Sequence, residues 1–552
     1  MSCPDSSFPS CGFSPQQYAE DHKEELEKLR LRAEELGWGE MFCIIGDETY
    51  EAKREQYATT SFAEHLVSPR LIFAPRGEQQ VVDAIKLCVE FDMKLAVRTG
   101  GHQYCGYSST SPNNMQLDLS ESFPEYDYNP QTNVLRCGVS HALGDWAKKN
   151  AALGIYLPMG VCSAVHLGGH VHTGGWGPVA RSHGLLADHV LAFDIILASG
   201  EKKHITRPKE AGNTLEHDIF YAVLGGGKGG DFGIVTHWEF SPLRDKDYPH
   251  SVCYDFVWLW SKKRMEAAVD TMQKISKMCA SGEIPSDYEF MVTISGLGVA
   301  DVMPLKVKTA LNLIGLDEDG GVPIPALIFF WGIYTNKSGK DEFDEKWFEM
   351  FAENVGKPTS AHREKNFPVS EGICDFYVLP SAREMEYPYV KRFRVSNAVP
   401  DNFAEVFTDR MYEIMGWFGT SGHQHLVSQM QVYAGGAVSH IDEQNLTAYS
   451  WRGQAFAMSH DSFYSKGLFG GSKYNKAEAW QAENDKAFVE KGAFADKDMR
   501  MFAYTFGKRN LAEVWHLYYD SEEKYERLKK IKKALDADGV FCSDEFCLSP
   551  GK

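Results

Sequence analysis

A dense run of glycine constrains this chain more than any other feature of its sequence. Six glycines fall within the nineteen positions from Gly160 to Pro178, and four of them form adjacent pairs at 168–169 and 174–175. Glycine loses more conformational freedom on folding than any other residue, so packing alone does not explain such a run. The run is typical of a backbone that lies flat against a large ligand.

Two further segments place glycine next to strand-like sequence. The first, Arg98-Thr99-Gly100-Gly101-His102-Gln103-Tyr104, starts where one strand-like run ends, and the second, residues 224–233, directly precedes another. A tight turn after a strand can present backbone N–H groups to an anion, and glycine lets the backbone approach a pyrophosphate closely. The second segment is not a P-loop, because no Gly-Lys-Ser/Thr sequence opens a helix there.

Composition excludes several classes of protein. The chain has 552 residues, more than one hydrophobic core usually serves, so we expect two domains. Its formal net charge of −19 opposes contact with a phosphate backbone, and we expect no nucleic-acid partner. No run reaches the roughly 18 apolar residues that suggest a membrane span, so we expect no membrane insertion.

The N-terminus and the cysteines bear on the compartment. Residues 1–9 lack the basic start and apolar run of a secretory signal, which favours a cytoplasmic protein and leaves secretion or an organelle as alternatives. Twelve scattered cysteines without a CxxC pair predict neither a zinc site nor a dense disulfide framework. Bridges between Cys3 and Cys11 and between Cys542 and Cys547 stay open.

Five histidines stand close together in and after the densest glycine run, at 166, 170, 172, 183 and 189. Imidazole is the commonest transition-metal ligand in proteins. No carboxylates or cysteines accompany these histidines at ligand spacing, so we expect no metal site.

Residue patterning predicts a chain of mixed helices and strands. We expect strands at 70–75, 94–98, 134–139, 191–198 and 233–240, and helices at 79–92, 261–280 and 520–535. Between 115 and 240 the strand-like runs alternate with glycine-rich turns, which favours an α+β fold over a regular doubly wound sheet. Between 245 and 480 aromatic strands alternate with helices, which predicts a second, substrate-facing domain.

The three glycine segments together resemble the vanillyl-alcohol oxidase superfamily of flavoproteins, with its PCMH-type FAD-binding domain. Within it the chain is similar to the berberine-bridge-enzyme-like and carbohydrate oxidase group. The group's motifs stand here as Arg98-x-Gly100-Gly101-His102, as Gly160-x-Cys162-x-x-Val165 before Gly168-Gly169-His170, as the loop at 224–233, and as Tyr518-Tyr519, Arg527-Leu528, Ile531-Lys532 and Phe541. The resemblance covers residues 65–548 and is weak from 245 to 480.

The resemblance implies an α+β fold of two domains. The FAD-binding domain would contain two α+β subdomains, and the substrate-binding domain a large antiparallel sheet flanked by helices. We place a helical N-terminal extension at 1–60 and the first part of the FAD-binding domain at 61–243. The substrate-binding domain follows at 244–480, and residues 481–552 return to the FAD-binding domain. We expect a monomer or a homodimer.

The resemblance also implies FAD held by two covalent bonds, one from His102 to the 8α-methyl carbon and a 6-S-cysteinyl bond from Cys162. A neutral imidazole nitrogen and a thiolate are the side-chain nucleophiles best suited to an electron-poor ring. Two such bonds should raise the reduction potential of the flavin and leave a wide groove open above it. The other cofactor residues implied are Arg98, Thr99, Gly100, Gly101, Gln103, Tyr104, Val165, Gly168, Gly169, His170, Gly174, Gly175, Gly227, Phe232 and Gly233.

The function that the resemblance implies is oxidation of a small molecule at a C–OH carbon, as in a sugar, with oxygen as acceptor and hydrogen peroxide as product. Val165 stands where this group has either a small residue that admits oxygen or a leucine that excludes it, and valine favours an oxidase. His166 replaces a glycine that is usual in the group. Two alternatives stay open: oxidative cyclisation or desaturation of a specialised metabolite, and a flavin-binding protein without turnover.

One candidate region for the proton acceptor is the strand that ends at Tyr433. Removal of hydride from a hydroxyl-bearing carbon needs a group within hydrogen-bond reach of the proton. Period-two alternation places Gln429, Gln431 and Tyr433 on one face of the strand. Either Gln431 or Val432 holds the catalytic position of the group.

A second candidate region is the strand before the C-terminal helices. The tyrosine that is usual in the group falls on Phe506 by spacing, and Tyr504 lies on the same strand face two residues earlier. We predict Tyr504 or Tyr433 as the phenolic base, with Gln431 in support.

Overall fold

The computed structural model describes residues 13–57, 67–104, 106–295, 327–375, 389–415, 424–440, 442, 445–464, 474–490, 499–502 and 510–551. The described part combines helices with four sheets, which confirms the α+β fold class. Among the described helices, none is long and apolar enough to cross a membrane.

The first sheet has four strands: β1 (Phe42–Ile44), β2 (Leu71–Phe73), β3 (Leu95–Arg98) and β4 (Met115–Asp118). Their order is β1-β2-β4-β3, with β2 and β3 parallel to β4 and with β1 antiparallel to β2. The helices of this part are α1 (Pro15–Asp21), α2 (Lys23–Glu35), α3 (Tyr50–Arg54) and α4 (Glu78–Glu90). The predicted helical extension at 1–60 is therefore corrected, because β1 belongs to this sheet.

Helix α4 shows how apolar residues at helical spacing bury one face of a helix. Val81, Ala84, Ile85 and Cys88 recur at helical spacing, and all four are buried in the first hydrophobic core. The helix ends before Asp92, whose φ of 49° lies in the left-handed region that often terminates helices. The following strand β3 then leads directly into the glycine segment at 98–104.

The second sheet has five strands: β5 (Tyr126–Asn129), β6 (Val134–Gly138), β8 (Val190–Ile196), β9 (Lys202–Thr206) and β10 (Ile234–Phe240). All neighbours are antiparallel in the order β5-β6-β10-β8-β9. A small pair joins β7 (Ile155–Tyr156) to β11 (Leu243–Arg244), and the helices here are α5 (Leu143–Ala151), α6 (Leu167–His172), α7 (Ala180–His183) and α8 (Leu215–Val223). Central strand β10 starts directly after the glycine loop at 224–233.

The largest sheet has seven antiparallel strands: β12 (Val252–Leu259), β13 (Tyr288–Ser295), β14 (Leu327–Tyr334), β15 (Ser360–Lys365), β16 (Tyr389–Ser396), β17 (Gln424–Val432) and β18 (Phe456–Tyr464). Their order is β15-β12-β14-β13-β17-β18-β16. One face packs in a second core with α9 (Lys262–Ala280), α10 (Lys346–Val355), α12 (Phe403–Met415) and α13 (Tyr474–Glu490). The opposite face carries Cys253 and Met291 into the first core.

Three further helices in the described part of the chain contact the first core. They are α11 (Val369–Asp375), α14 (Leu511–Tyr518) and α15 (Glu522–Leu535). Ser521 caps α15 by accepting a hydrogen bond from the Lys524 N–H. The predicted boundary at 480 cuts through α13, which packs on β16 and β18 and so belongs with the seven-stranded sheet. Cys542 and Cys547 are free thiols, and Cys3 and Cys11 lie outside the described residues.

Most predicted elements match observed ones. The strands at 70–75, 94–98, 134–139, 191–198 and 233–240 correspond to β2, β3, β6, β8 and β10, and the helices at 79–92, 261–280 and 520–535 correspond to α4, α9 and α15. Apolar spacing identifies these elements because each buries one face or stripe.

A buried polar cluster joins the seven-stranded sheet to α7. The Arg181 guanidinium, fully buried, donates to the carbonyls of Ile284, Pro285, Tyr288 and Ala434 over 2.6 to 3.1 Å. Glu289 on β13 accepts hydrogen bonds from the backbone N–H and the hydroxyl of Ser182. Burial raises the pKa of Glu289 to about 7.

We expect the substitution Glu289→Gln to remove a pH-dependent loss of stability. An unfolded glutamate has a pKa of about 4.3, so between about pH 4.3 and 7 the folded chain holds a proton that the unfolded chain has lost. Wild-type stability therefore falls across that range and is flat above it. At pH 8 the variant should be more stable by about 1 to 3 kcal/mol, because glutamine keeps the acceptor without the charge.

Urea unfolding at pH 4 and pH 8 measures this difference. Exposed Glu283, replaced by glutamine, serves as the control and should change stability little at either pH. An equal shift for Glu289→Gln at both pH values would contradict the assignment.

Candidate functional site

A cavity lies where the three glycine segments meet the seven-stranded sheet. Its wall contains residues between 97 and 108, between 160 and 173 and between 228 and 235, together with side chains of β16, β17 and β18. It encloses about 1250 Å³ when the space open to solvent is included. Glycine-rich backbone therefore forms one side of the cavity, and Lys391, Gln429 and Ser459 of the large sheet face it from another.

Most of the predicted cofactor residues lie in this wall. They are Thr99, Gly100, Gly101, His102, Gln103, Tyr104, Cys162, Val165, Gly168, Gly169, His170 and Gly233. His102 and Cys162, more than fifty positions apart in sequence, therefore line the same space.

Three predicted cofactor glycines lie away from the wall, against the protein itself. A Cβ on Gly174 would stand 2.5 Å from the Tyr449 ring, and one on Gly175 would stand 2.5 Å from Leu186 Cβ. A Cβ on Gly227 would similarly collide with the Asp231 carboxylate. Close packing of the chain, rather than a ligand, explains why these positions hold glycine.

Arg98 and Phe232, also predicted cofactor residues, are not among the residues that line the cavity. The Arg98 guanidinium forms an ion pair with Asp118 and donates to the carbonyls of Lys53 and Glu55, each over 2.8 Å. Phe232 is buried in the first core. Asp118 and the segment 53–55, rather than a ligand, therefore take up the hydrogen bonds of Arg98.

Glycine at 168 and 169 has two different explanations. A Cβ on Gly168 would lie 2.5 Å from Thr99, so glycine is needed for the contact between α6 and the first glycine segment. A Cβ on Gly169 would meet nothing within 4 Å, although Gly169 lines the cavity. A flat surface without side chain therefore faces the cavity at Gly169.

Tyr57 covers one face of His102. The Tyr57 ring stacks on the His102 imidazole with centroids 3.7 Å apart and planes 24° apart. Burial raises the pKa of the Cys162 thiol, while the Ala164 backbone, Lys391 and Tyr57 act in the opposite direction.

Buried histidines surround the same space. Burial lowers the pKa of His166, His170 and His172 to about 4, so all three are neutral at pH 7. His170 Nε2 accepts a hydrogen bond from the Gly160 N–H at 2.9 Å. Within the described part of the chain, His166 Nδ1 is buried and has no hydrogen-bond partner.

The sequence matches a known family and known proteins over part of its length. A family described as FAD binding domain matches residues 69–206. The FAD-linked oxidoreductase sorD of Penicillium rubens is 30% identical over 238 residues, which are 42% of this chain and 47% of that protein. Berberine bridge enzyme-like 16 of Arabidopsis thaliana is 30% identical over 218 residues, 37% of this chain and 36% of that protein. The matches thus span less than half of either relative.

Solved structures match along nearly the whole chain. The wild-type BBE-like 1 of Physcomitrella patens has a TM-score of 0.69 at 16% identity and covers 94% of this chain and 99% of its own. Glucooligosaccharide oxidase from Acremonium strictum, with a 6-S-cysteinyl, 8α-N1-histidyl FAD, has a TM-score of 0.68 at 18% identity and covers 92% and 97%. The FAD-binding match, the relatives and the shared fold support an FAD-linked oxidoreductase of the vanillyl-alcohol oxidase superfamily. At these identities the structural likeness itself concerns the fold.

The residues around the cavity fit FAD, the cofactor of this superfamily. The open surface at Gly169 accepts a flat group, and the buried Nδ1 of His166 can bond a polar atom of a ligand. His102 and Cys162 supply the nitrogen and the sulfur that two covalent bonds would need.

The predicted proton acceptor is Tyr433 or Tyr504, and Gln431 is its predicted support. Tyr433 is buried, and its hydroxyl donates to Gln431 Oε1 at 2.6 Å, while Gln431 Nε2 donates to the Gly177 carbonyl at 2.7 Å. Neither side chain is among those that line the cavity, whereas Gln429 on the same strand face does line it. Tyr504 lies outside the described residues.

An ion pair beside the cavity was missed from the sequence. Lys391 on β16 and Asp461 on β18 are direct cross-strand partners, and Lys391 Nζ lies 3.1 Å from Asp461 Oδ2. Lys391 lines the cavity, as does Ser459, two residues before Asp461 on the same face of β18. Burial raises the pKa of Asp461, and in the described part of the chain its Oδ1 is buried without a hydrogen-bond partner.

One group of side chains in the described residues has metal-ligand spacing, namely Glu78 at the start of α4, Asp194 on β8 and His237 on β10. Arg136 pairs with Asp194, and Lys202 pairs with Glu78. These cations balance the carboxylates, so the group is an ion-pair network.

Proposed function

We propose that the chain is an FAD-dependent oxidase that holds its flavin through His102 and Cys162 and oxidises a C–OH carbon of a sugar or a similar alcohol. The observation that carries the proposal is the convergence of both nucleophilic side chains and all three glycine segments on one cavity. Bound FAD supplies the acceptor for a hydride and passes the electrons to oxygen, with hydrogen peroxide as product.

The residues around the cavity have separate roles in this proposal. Gly169 leaves the backbone open to the cofactor, and neutral His166 and His170 avoid a buried positive charge beside it. Val165 lies in the cavity wall, and in this proposal oxygen reaches the flavin past its side chain.

Polar side chains on the seven-stranded sheet support a hydroxyl-rich substrate. Lys391, Gln429 and Ser459 line the cavity from three adjacent strands, and Gln429 Nε2 donates to Thr293 Oγ1 at 3.3 Å. A site built to hydrogen-bond hydroxyl groups discriminates strongly against substrates that lack them, because its buried polar groups would be left unpaired.

The proton acceptor within this proposal is Asp461 or Tyr504. Asp461 is buried next to Lys391, and its raised pKa is typical of a group poised to take up a proton. Tyr504 remains the prediction from the sequence. Single substitutions Asp461→Asn and Tyr504→Phe distinguish them, because only loss of the acting base removes the rise of the oxidation rate with pH.

We expect acid-precipitated wild-type protein to retain its yellow colour, with flavin mass on the peptides around 102 and 162. His102→Ala should keep flavin on the Cys162 peptide alone, and Cys162→Ala should keep it on the His102 peptide alone, because each side chain forms a separate bond. The double variant should release all flavin into the supernatant. Peptide mass spectrometry and the absorbance of pellet and supernatant measure these outcomes.

The control is Cys88→Ala, which removes a buried thiol distant from the cavity wall and should keep both adducts. Colour that washes out of the wild-type protein would contradict covalent attachment. Anaerobic bleaching with a sugar panel then separates an oxidase of sugars from an enzyme that cyclises a metabolite, and absence of bleaching with any donor would favour a flavin-binding protein without turnover.

A further inference from the structure

We infer that Lys228 binds the diphosphate of FAD and that Asp544, close to the C-terminus, holds Lys228 in place. This inference rests on the proposed function, since it concerns the cofactor of the same cavity. Lys228 lines the cavity, and five glycines stand within three positions of it. The diphosphate of FAD carries negative charge, and lysine is a common ligand of phosphate groups in proteins.

The cavity wall is basic although the chain as a whole is acidic. The chain has a formal net charge of −19. Among the described residues that line the cavity there are two lysines, Lys228 and Lys391, and no aspartate or glutamate. Lys391 belongs to the seven-stranded sheet and pairs with Asp461. Lys228 is therefore the lysine on the glycine-rich side of the cavity, where the proposed cofactor meets the backbone.

The Lys228 ammonium keeps one hydrogen-bond donor for a ligand. Lys228 is buried, and it donates to the Tyr107 carbonyl at 3.2 Å and to the Asp544 carboxylate. These two are its acceptors in the described part of the chain, and an ammonium has three N–H donors. Burial disfavours the charged form, yet Asp544 raises the pKa of Lys228 above its usual value. A charged donor therefore lies at the cavity wall.

Asp544 is itself fixed by its neighbours. Its carboxylate accepts hydrogen bonds from the Phe546 N–H at 2.8 Å and from the Ser543 hydroxyl at 3.2 Å. The Phe546 ring stacks on the Tyr107 ring, with centroids 5.2 Å apart and planes 2° apart. The two acceptors of Lys228 thus belong to segments that also pack on each other, and the ammonium has one defined position.

The loop that carries Lys228 is attached to the C-terminal helices. The Tyr519 hydroxyl, directly after α14, donates to the Gly226 carbonyl at 2.7 Å. Lys532 on α15 donates through Nζ to the Asp231 carbonyl at 2.5 Å. These bonds fix the loop on both sides of Lys228, so the lysine is in place before a ligand binds, which lowers the entropic cost of binding.

The test measures reversible flavin binding to the full-length chain with His102→Ala and Cys162→Ala, which removes both proposed bonds. FAD and riboflavin share the ring system and the ribityl chain, and riboflavin lacks the diphosphate. Adding Lys228→Met should raise the Kd for FAD about 10- to 100-fold, the effect of losing one hydrogen bond to a charged group. The Kd for riboflavin should stay unchanged. Quenching of flavin fluorescence gives the first Kd, and displacement of FAD by riboflavin gives the second.

A second variant guards against loss of folding. Lys228→Met leaves the Asp544 carboxylate without its cation, and an uncompensated buried charge is strongly destabilising. Lys228→Met combined with Asp544→Asn removes both charges. This combination should show the same selective loss of FAD affinity, with riboflavin again unaffected.

Lys94→Met is the matched control. Lys94 Nζ donates to the Asp538 carbonyl at 2.9 Å, so Lys94 also contacts the C-terminal segment, but it is not among the residues that line the cavity. This control should keep the Kd for both flavins. A loss of FAD affinity as large as that of Lys228→Met would assign the effect to docking of the C-terminal segment and overturn the inference.

The outcomes distinguish the inference from the proposed function. A wild-type chain that is purified without flavin and takes up no added FAD would contradict the proposed function itself. If the wild-type chain carries flavin, and Lys228→Met changes the Kd for FAD and for riboflavin equally or changes neither, Lys228 does not bind the diphosphate and the proposed function stands.

Discussion

Asp461→Asn is expected to lower the rate of substrate oxidation at pH 8 by about 100-fold or more, the usual contribution of a positioned general base. The carboxylate of Asp461 pairs with Lys391, which lines the cavity, and has a second oxygen buried beside it. Asparagine keeps the shape of the side chain and cannot take up the proton. Stopped-flow bleaching of the flavin by the best donor of a sugar panel measures the rate.

The rate of substrate oxidation should change with pH in a defined direction. A base must be deprotonated to act, so the wild-type rate should rise with pH through the pKa of Asp461. Because burial raises that pKa, the rise should lie above the usual range for aspartate. The variant should lack this rise.

Asp255→Asn is the matched control, since Asp255 lies on β12 of the same sheet and its pairing partner His362 is on β15. This control should keep both the rate and the pH profile. A rise with pH that persists in Asp461→Asn and disappears in Tyr504→Phe would assign the base to Tyr504.

The sequence predicts the fold better than it predicts the contacts of the site. Elements such as α4, α9 and β10 bury one stripe or face. Their apolar residues therefore recur at a regular spacing, which identifies the element even when the elements packed against it are unknown. Strand β1 has three residues, too few for a period to appear, and the domain boundary at 480 fell inside α13 because polar residues continue through that helix.

In the candidate site, too, local motifs could be predicted from the sequence and contacts between distant residues could not. His102 and Cys162 were identified because they stand inside recognisable local motifs, and both line the cavity. Alternation correctly put Gln429 and Gln431 on one strand face, but only the register of β17 between β13 and β18 decides which of them reaches the cavity. Lys391 and Asp461 are seventy positions apart, and no local pattern signals their pairing.

Arg181→Met is expected to destabilise the contact between the FAD-binding part and the seven-stranded sheet by about 4 kcal/mol or more. Four buried carbonyl oxygens would lose their donor at once, and each such loss costs about 1 to 3 kcal/mol. Methionine has a similar length and no donor. Because the four carbonyls belong to residues 284–288 and 434, the loss falls on the junction of the two parts.

Thermal unfolding followed by calorimetry measures this effect. We expect the Arg181→Met variant to unfold in separated transitions, with the seven-stranded sheet released first, since the junction would no longer couple the two parts. Arg207→Met is the matched control: Arg207 donates to the carbonyls of Val190, Ala187 and Asp188, all within the FAD-binding part. That control should lower the transition temperature without separating the transitions. If both variants behaved alike, Arg181 would stabilise only its own part, and the junction would depend on the apolar contacts of Cys253 and Met291 with the first core.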